Sequence, residues 1–145
     1  ARNWQNVSTS IHHSYKSSRY LLYTKNGKKL ITVPRKYMAK TVKVKKGTTK
    51  IADSAFSFCT NIKKVILPDT VKVIGQSAFV RCSLNYIRMP RKLKELGGSA
   101  FQESALKKIT IYGKVELDET FKYCKKLKTY FILYMDSAQL SRGFL

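Results

Sequence analysis

Acidic residues are scarce in this chain: 8 Asp plus Glu stand against 29 Lys plus Arg, a formal net charge of +21 over 145 residues. That imbalance exceeds what solubility requires, and self-repulsion at this level opposes a compact state unless counter-ions or an anionic partner relieve it. The few carboxylates, from Asp53 to Asp136, are scattered, so no pair stands out for glycoside hydrolysis, which needs two facing one cleft. Histidine occurs only at His12 and His13, so a Ser/His or Cys/His relay has no base on the rest of the scaffold. With no third ligand near in sequence, the pair reads as a solvated segment rather than a metal site. Three cysteines is an odd count, which argues against a disulfide framework, and neither CxxC nor CxH spacing occurs. No G-x-G-x-x-G or phosphate loop is present either. The inventory therefore contains no catalytic residues, no metal ligands and no cofactor site, and it points away from an enzyme. No run of 18 apolar residues exists; the longest, Tyr130 to Met135, is a strand length. Residues 1–10 lack the apolar core of a signal peptide, and a first residue other than Met is expected of a processed or excised piece.

What is present is repetition. From Ser54 the chain reads SAFSFCTNIKKVILP, with a small-plus-aromatic pair, a cysteine three residues on, then apolar residues spaced three, three and two. The pattern returns as Ala78-Phe79, Cys82, Leu84, Ile87, Met89-Pro90, then as Ala100-Phe101, Ser104, Leu106, Ile109, Ile111. A worn copy follows as Thr120-Phe121, Cys124, Leu127, Tyr130, Ile132. Self-similarity at roughly 20–25 residues reads as a solenoid, in which each coil is too small for a core of its own and gains one from its neighbours. The length suits one domain.

Within a coil, an alternating strand such as Val65-Ile66-Leu67 stops at Pro68, which fixes φ and lacks an N–H. A second extended piece, Val71 to Ile74, ends at Gly75, where a positive φ is expected. Ser77 to Cys82 then reads as a short helical or 3₁₀ turn capped by Ser77. Phe56, Phe79, Phe101 and Phe121, with Cys59, Cys82, Ser104 and Cys124, are expected to form inward columns, since cysteine is often buried as a small hydrophobe. One parallel sheet is expected, with strands at 42–44, 65–67, 87–89 and 109–111. Upstream, Asn26-Gly27 between β-rich runs signals a hairpin with positive φ at both central residues. Asp53 and Asp69 read as turn and cap residues.

The string Leu67-Pro68-Asp69-Thr70-Val71-Lys72-Val73-Ile74-Gly75-Gln76-Ser77-Ala78-Phe79-Val80-Arg81-Cys82 resembles the BspA-like class of leucine-rich repeats, and the likeness covers roughly residues 20–133. Departures are Lys45 and Tyr112 in place of the coil proline, a coil one residue short at Ser83-Leu84, and a compressed stretch over 115–120, which suggests an array near its end. The resemblance implies an α/β leucine-rich-repeat solenoid of right-handed coils, about 22–23 residues each, with a parallel sheet. Residues 1–19 would then be a polar tail or irregular cap, 20–135 the repeat domain with its hairpin at 20–34 and about four coils over 41–133, and 136–145 a C-terminal tail. It further implies a secreted or surface-displayed protein that adheres to host or matrix molecules, and no catalysis; the basic charge adds an anionic polysaccharide to the expected partners, and no cofactor is expected.

Alternation places the side chains at 64 and 66 outward when Val65 and Leu67 face in. Carried through the coils, this gives an exposed face of Thr41, Lys43, Lys64, Ile66, Tyr86, Arg88, Lys108, Thr110, Thr129 and Phe131, flanked by further lysines such as Lys63 and Lys107. Lys43, Lys64, Tyr86, Arg88 and Lys108 are the candidate ligand-binding residues, since coils two steps apart lie about 10 Å from each other, close to one Debye length. An anionic polymer or acidic protein is the expected partner. Nucleic acid is the alternative that the charge invites, weakened by the absence of a recognised module and of enough exposed aromatics to stack on successive bases. A structural spacer whose charge serves solubility is the third reading.

Overall fold

The structure, a computed structural model, describes residues 21–117 and 119–133; His12, His13, Asp118 and Asp136 fall outside them. The chain begins with an antiparallel hairpin, β1 (Leu22–Tyr23) and β2 (Lys29–Thr32). It continues as a solenoid through β3 (Thr41–Lys43), β4 (Lys50–Ile51), β5 (Lys64–Ile66), β6 (Val73–Ile74), β7 (Tyr86–Arg88), β8 (Glu95–Leu96), β9 (Lys108–Tyr112) and β10 (Thr129–Leu133).

The repeat strands pair in parallel, as expected, with Val42 beside Val65 and Ile87 beside Ile109. The expectation of one sheet with one strand per coil is corrected. Each of the first three coils carries a second strand of two residues, and these join the hairpin in a five-stranded sheet of order β1-β2-β4-β6-β8. Leu30, Ile51, Ile74 and Leu96 point inward from it. They meet Val42, Val65, Ile87 and Ile109 from the other strands, and one apolar core lies between the two sides.

The phenylalanine column forms the middle of that core. Phe56, Phe79 and Phe101 are fully buried, and successive rings stack with centroids 4.8 and 4.9 Å apart. That spacing is the distance between neighbouring strands, so the coil pitch itself sets the ring contact. Phe121 continues the stack at 6.1 Å. Cys59 and Cys82 are buried beside it, and burial pushes their thiols up to about 11 and about 12. Both are therefore protonated at neutral pH and act as packing groups; Cys59 makes long sulfur contacts of 3.7 and 3.8 Å to the carbonyls of Val33 and Pro34.

The expected helical turns at the Ala-Phe-x-x-Cys segments are replaced by successive turns, and no helix occurs among the described residues. A helix would keep its N–H groups within the coil. Here Ala55, Ser57 and Cys59 donate to carbonyls three residues back, while Ser54, Phe56 and Phe58 donate to Gln76, Ala78 and Val80 of the next coil. Two of the latter three residues lie in the left-handed region, Ser54 and Phe58 with φ of 56° and 59°, which breaks the helical run. Ser77 and Arg81 repeat this at 53° and 51°, so Ser77 is a left-handed turn residue and not a helix cap. That conformation costs L-residues roughly 1–2 kcal/mol, offset by the inter-coil hydrogen bonds.

Gly75 is corrected as well. Its φ is not positive; a Cβ there would lie 2.5 Å from the Asp53 nitrogen and 2.8 Å from the Ala52 carbonyl carbon. It is glycine because two coils touch backbone to backbone. The hairpin turn has positive φ at Gly27 only, while the Asn26 side chain accepts from the Lys28 N–H at 3.0 Å and the Thr24 hydroxyl at 2.8 Å. Lys45, in a proline position, donates the N–H that proline would lack to the Tyr23 hydroxyl at 3.0 Å.

Candidate binding face

The side of the solenoid that carries β3, β5, β7, β9 and β10 presents the residues singled out above. Lys43 and Lys64 are exposed on β3 and β5, with Thr41 beside Lys64 and Lys43 beside Ile66. Tyr86 on β7 is in register with Lys108 on β9, and the Lys108 ammonium sits 5.8 Å from the Tyr86 ring centroid, within cation–π range. Four of the five candidates thus stand exposed on the same side of the solenoid. Thr129 and Phe131 lie where no side chain is described.

Arg88 is engaged by the protein's own groups on the same side. Its guanidinium lies 3.3 and 3.4 Å from the two Asp69 oxygens and donates to the Tyr112 hydroxyl at 3.2 Å. Burial works against its charge, yet the Tyr112 hydroxyl and the Asp69 carboxylate more than offset this and raise its pKa above the ordinary arginine value. The guanidinium is thus held by the protein's own groups. Asp69 also accepts from the Arg91 N–H at 3.0 Å, so it ties its coil to the next and is not a local cap. Asp53 does the same on the opposite side, accepting from the Gln76 N–H at 3.0 Å. Tyr112 lies 5.2 Å from the Arg88 guanidinium and 5.6 Å from that of Arg91. The tyrosine that replaces a coil proline therefore closes one end of the face.

The face is also interrupted. β3 and β5 form one ladder and β7, β9 and β10 another. The break falls where the segment from the column cysteine to the next apolar residue shortens, from Cys59–Ile62 to Cys82–Leu84. The reverse step, between the third and fourth coils, is absorbed with β9 and β10 still paired. Lys64 donates to the Lys40 carbonyl and Ile66 accepts from Val44, whereas Asn85 accepts from Lys108 and Met89 donates to Thr110. Strand alternation therefore turns the main-chain groups of Val65, and of Tyr86 and Arg88, toward the break. A cavity of about 290 Å³ opens there, lined by residues 64–67 and 86–88. Sequence patterning finds the exposed face, because alternation marks it. It misses the pairing of Asp69 and Tyr112 with Arg88 and the slot, because these depend on contacts between coils rather than on a repeat position.

Among the described residues no three His, Cys, Asp or Glu side chains cluster to hold a metal ion, and no helix is long and apolar enough to cross a membrane.

A model of the BspA type leucine rich repeat region matches residues 35–138 in six copies. Among solved structures, the chain is similar to a leucine-rich repeat protein from Eubacterium ventriosum ATCC 27560, at 25% identity and a TM-score of 0.73 over 77% of this chain and 31% of that one. It is also similar to the pneumococcal vaccine antigen PcpA, at 17% identity and a TM-score of 0.58 over 81% of this chain and 36% of that one. A leucine rich cell surface protein from Faecalibacterium prausnitzii A2-165 aligns at 29% identity and a TM-score of 0.46, over 64% and 19%. The chain spans about a third or less of the length of these proteins. No curated protein matches it. Repeat spacing, stacked parallel coils and the family match over residues 35–138 agree, and the chain belongs to the BspA type leucine-rich repeat family.

Proposed function

We propose that this chain is a non-catalytic binding or adhesion module of a secreted or surface-displayed protein, and that its basic sheet face holds an anionic polymer or an acidic protein. The observation that supports this reading is the patch itself: Lys43, Lys64 and Lys108 stand exposed on three strands of one side. Their fields add over a distance comparable to the Debye length of about 8 Å, so a polyanion meets one surface rather than separate charges. Arg88, bound to Asp69 and Tyr112, serves as scaffold at the edge of that surface. Repeat proteins of this kind offer an extended stacked surface for recognition.

A second reading is favoured by the five-stranded side, where Lys29 and Lys50 stand in register. There, total charge would drive binding without a localised site, and nucleic acid would bind as well as any polyanion. Replacing Lys43, Lys64 and Lys108 with Gln, and in a second variant the exposed turn lysines Lys28, Lys92 and Lys126, removes the same charge from different places. The sheet-face variant is expected to lose about ten-fold in heparin affinity, since three exposed pairs contribute several tenths of a kcal/mol each, and to lose salt dependence with it. Equal losses in both variants across a salt series would favour total charge. DNA and a neutral polysaccharide complete the comparison.

A further inference from the structure

A row of lysines does not account for the slot between β5 and β7. Val65, Leu67 and Ile87 form its floor with their side chains turned into the core, and at its mouth Ile66 and Tyr86 remain 41% and 42% exposed. Two large apolar side chains left open on either side of one recess have the character of an anchor point, because interface hot spots are apolar groups seated in a pocket and ringed by groups that exclude water. We infer, resting on the sheet face as the binding surface, that the slot takes one aromatic or long aliphatic side chain from an extended acidic segment of a partner protein.

Size, lining and charge select that occupant. The volume of about 290 Å³ lies at the small end of ligand pockets, which run from about 300 to 1,000 Å³, so it suits a single large side chain rather than a larger ligand. Most of the side chains around the slot are apolar, and the main-chain groups of Val65 and Tyr86 turned toward it can pair with the backbone of an extended segment, which a sugar lacks. The surroundings are basic, with Lys64 on one wall, Lys43 beside Ile66, and Lys108 above Tyr86. An extended segment that seats an apolar side chain between these lysines would place flanking carboxylates against them. The arrangement is that of a specific interface, with an apolar anchor at the centre and a charged rim that steers and orients.

Two fluorescent probes test this, a glutamate–glycine peptide and the same peptide with one central phenylalanine. The phenylalanine probe is expected to bind about ten-fold tighter, as burial of a large apolar side chain allows. Ile66→Thr should bring the two probes to equal affinity while leaving the plain peptide and heparin unchanged. Ile66→Thr retains a β-branched residue on its strand, and its thermal midpoint verifies the fold. Equal affinity of the two probes for the unaltered protein overturns the slot. In that case the sheet face still stands if the Lys43, Lys64 and Lys108 triple variant weakens the plain peptide, and falls if it does not. A single-stranded oligonucleotide that displaces the phenylalanine probe better than heparin of equal charge would also overturn the proposal, by assigning the slot to a base.

Discussion

The two sides of the solenoid are built from the same coils and finish differently. On the five-stranded side the ladder runs unbroken from the hairpin to β8, even though β4, β6 and β8 have only two residues each. Glycines at 75 and 97 let the coils meet backbone to backbone there, and Asp53 crosses from one coil to the next. On the other side the strands are longer, yet the ladder breaks between β5 and β7, and the Arg88–Asp69 pair spans the two coils with side chains instead. Strand length therefore does not decide continuity. Close main-chain contact does, and the side that lacks it is the one left with a recess between two coils.

The largest test of this contrast removes what both sides share. Phe79 sits between Phe56 and Phe101, fully buried and stacked on each. Phe79→Ala is expected to destabilise the fold by about 3–5 kcal/mol, as large-to-small core changes do, read as a shift in the denaturant midpoint. A thermal midpoint within a degree or two of the parent would mean that the two sides are held apart by something other than the ring column.

That column was legible from sequence because its residues recur at the coil period and must all face the same way. The parallel strands were legible to within a residue, since alternation around Val42, Val65, Ile87 and Ile109 admits one register. The second sheet was seen only as an extended piece at Val71 to Ile74, because two-residue strands such as Lys50–Ile51 are too short to show alternation. The left-handed turns were missed because Ser54, Phe58 and Arg81 are not residues that ask for positive φ; the inter-coil hydrogen bonds impose it. The exposed lysines could be named in advance, but the slot could not. It arises from the way two neighbouring coils fail to pair, and no single residue carries that information. Nor could Arg88 be seen as occupied, since Asp69 lies 19 residues before it on another coil.

A second test addresses the continuous side alone. At Gly75 a Cβ would meet the main chain of Ala52 and Asp53, with Asp53 nitrogen 2.5 Å away, and backbone has nowhere cheap to move. Gly75→Ala is expected to cost about 1–3 kcal/mol through overpacking. Its effect should appear in hydrogen exchange as faster opening of β4 and β6, with β3 and β5 less affected. Uniform loss of protection across both sides would show that the two sheets open as one unit and that the contrast is geometric only.

The smallest effect belongs to the interrupted side. Asp69 accepts from the Arg91 N–H at 3.0 Å and pairs with Arg88 at 3.3 Å, with side chains 44% and 35% exposed. Asp69→Asn keeps an oxygen for the N–H and removes the charge, so it isolates the ion pair, which at this exposure is worth a few tenths of a kcal/mol and no more than about 1. Asp69→Ala removes the hydrogen bond as well and should cost about 1 kcal/mol more. Either variant also releases the Arg88 charge at the end of the basic face, so heparin affinity should rise by a few-fold even as stability falls. If Asp69→Asn destabilises as much as Gly75→Ala, the side-chain bridge holds the coils as firmly as main-chain contact does. If stability falls as expected while heparin affinity stays unchanged, the Arg88 charge does not contribute to polyanion binding, and the lysines of the face carry it alone.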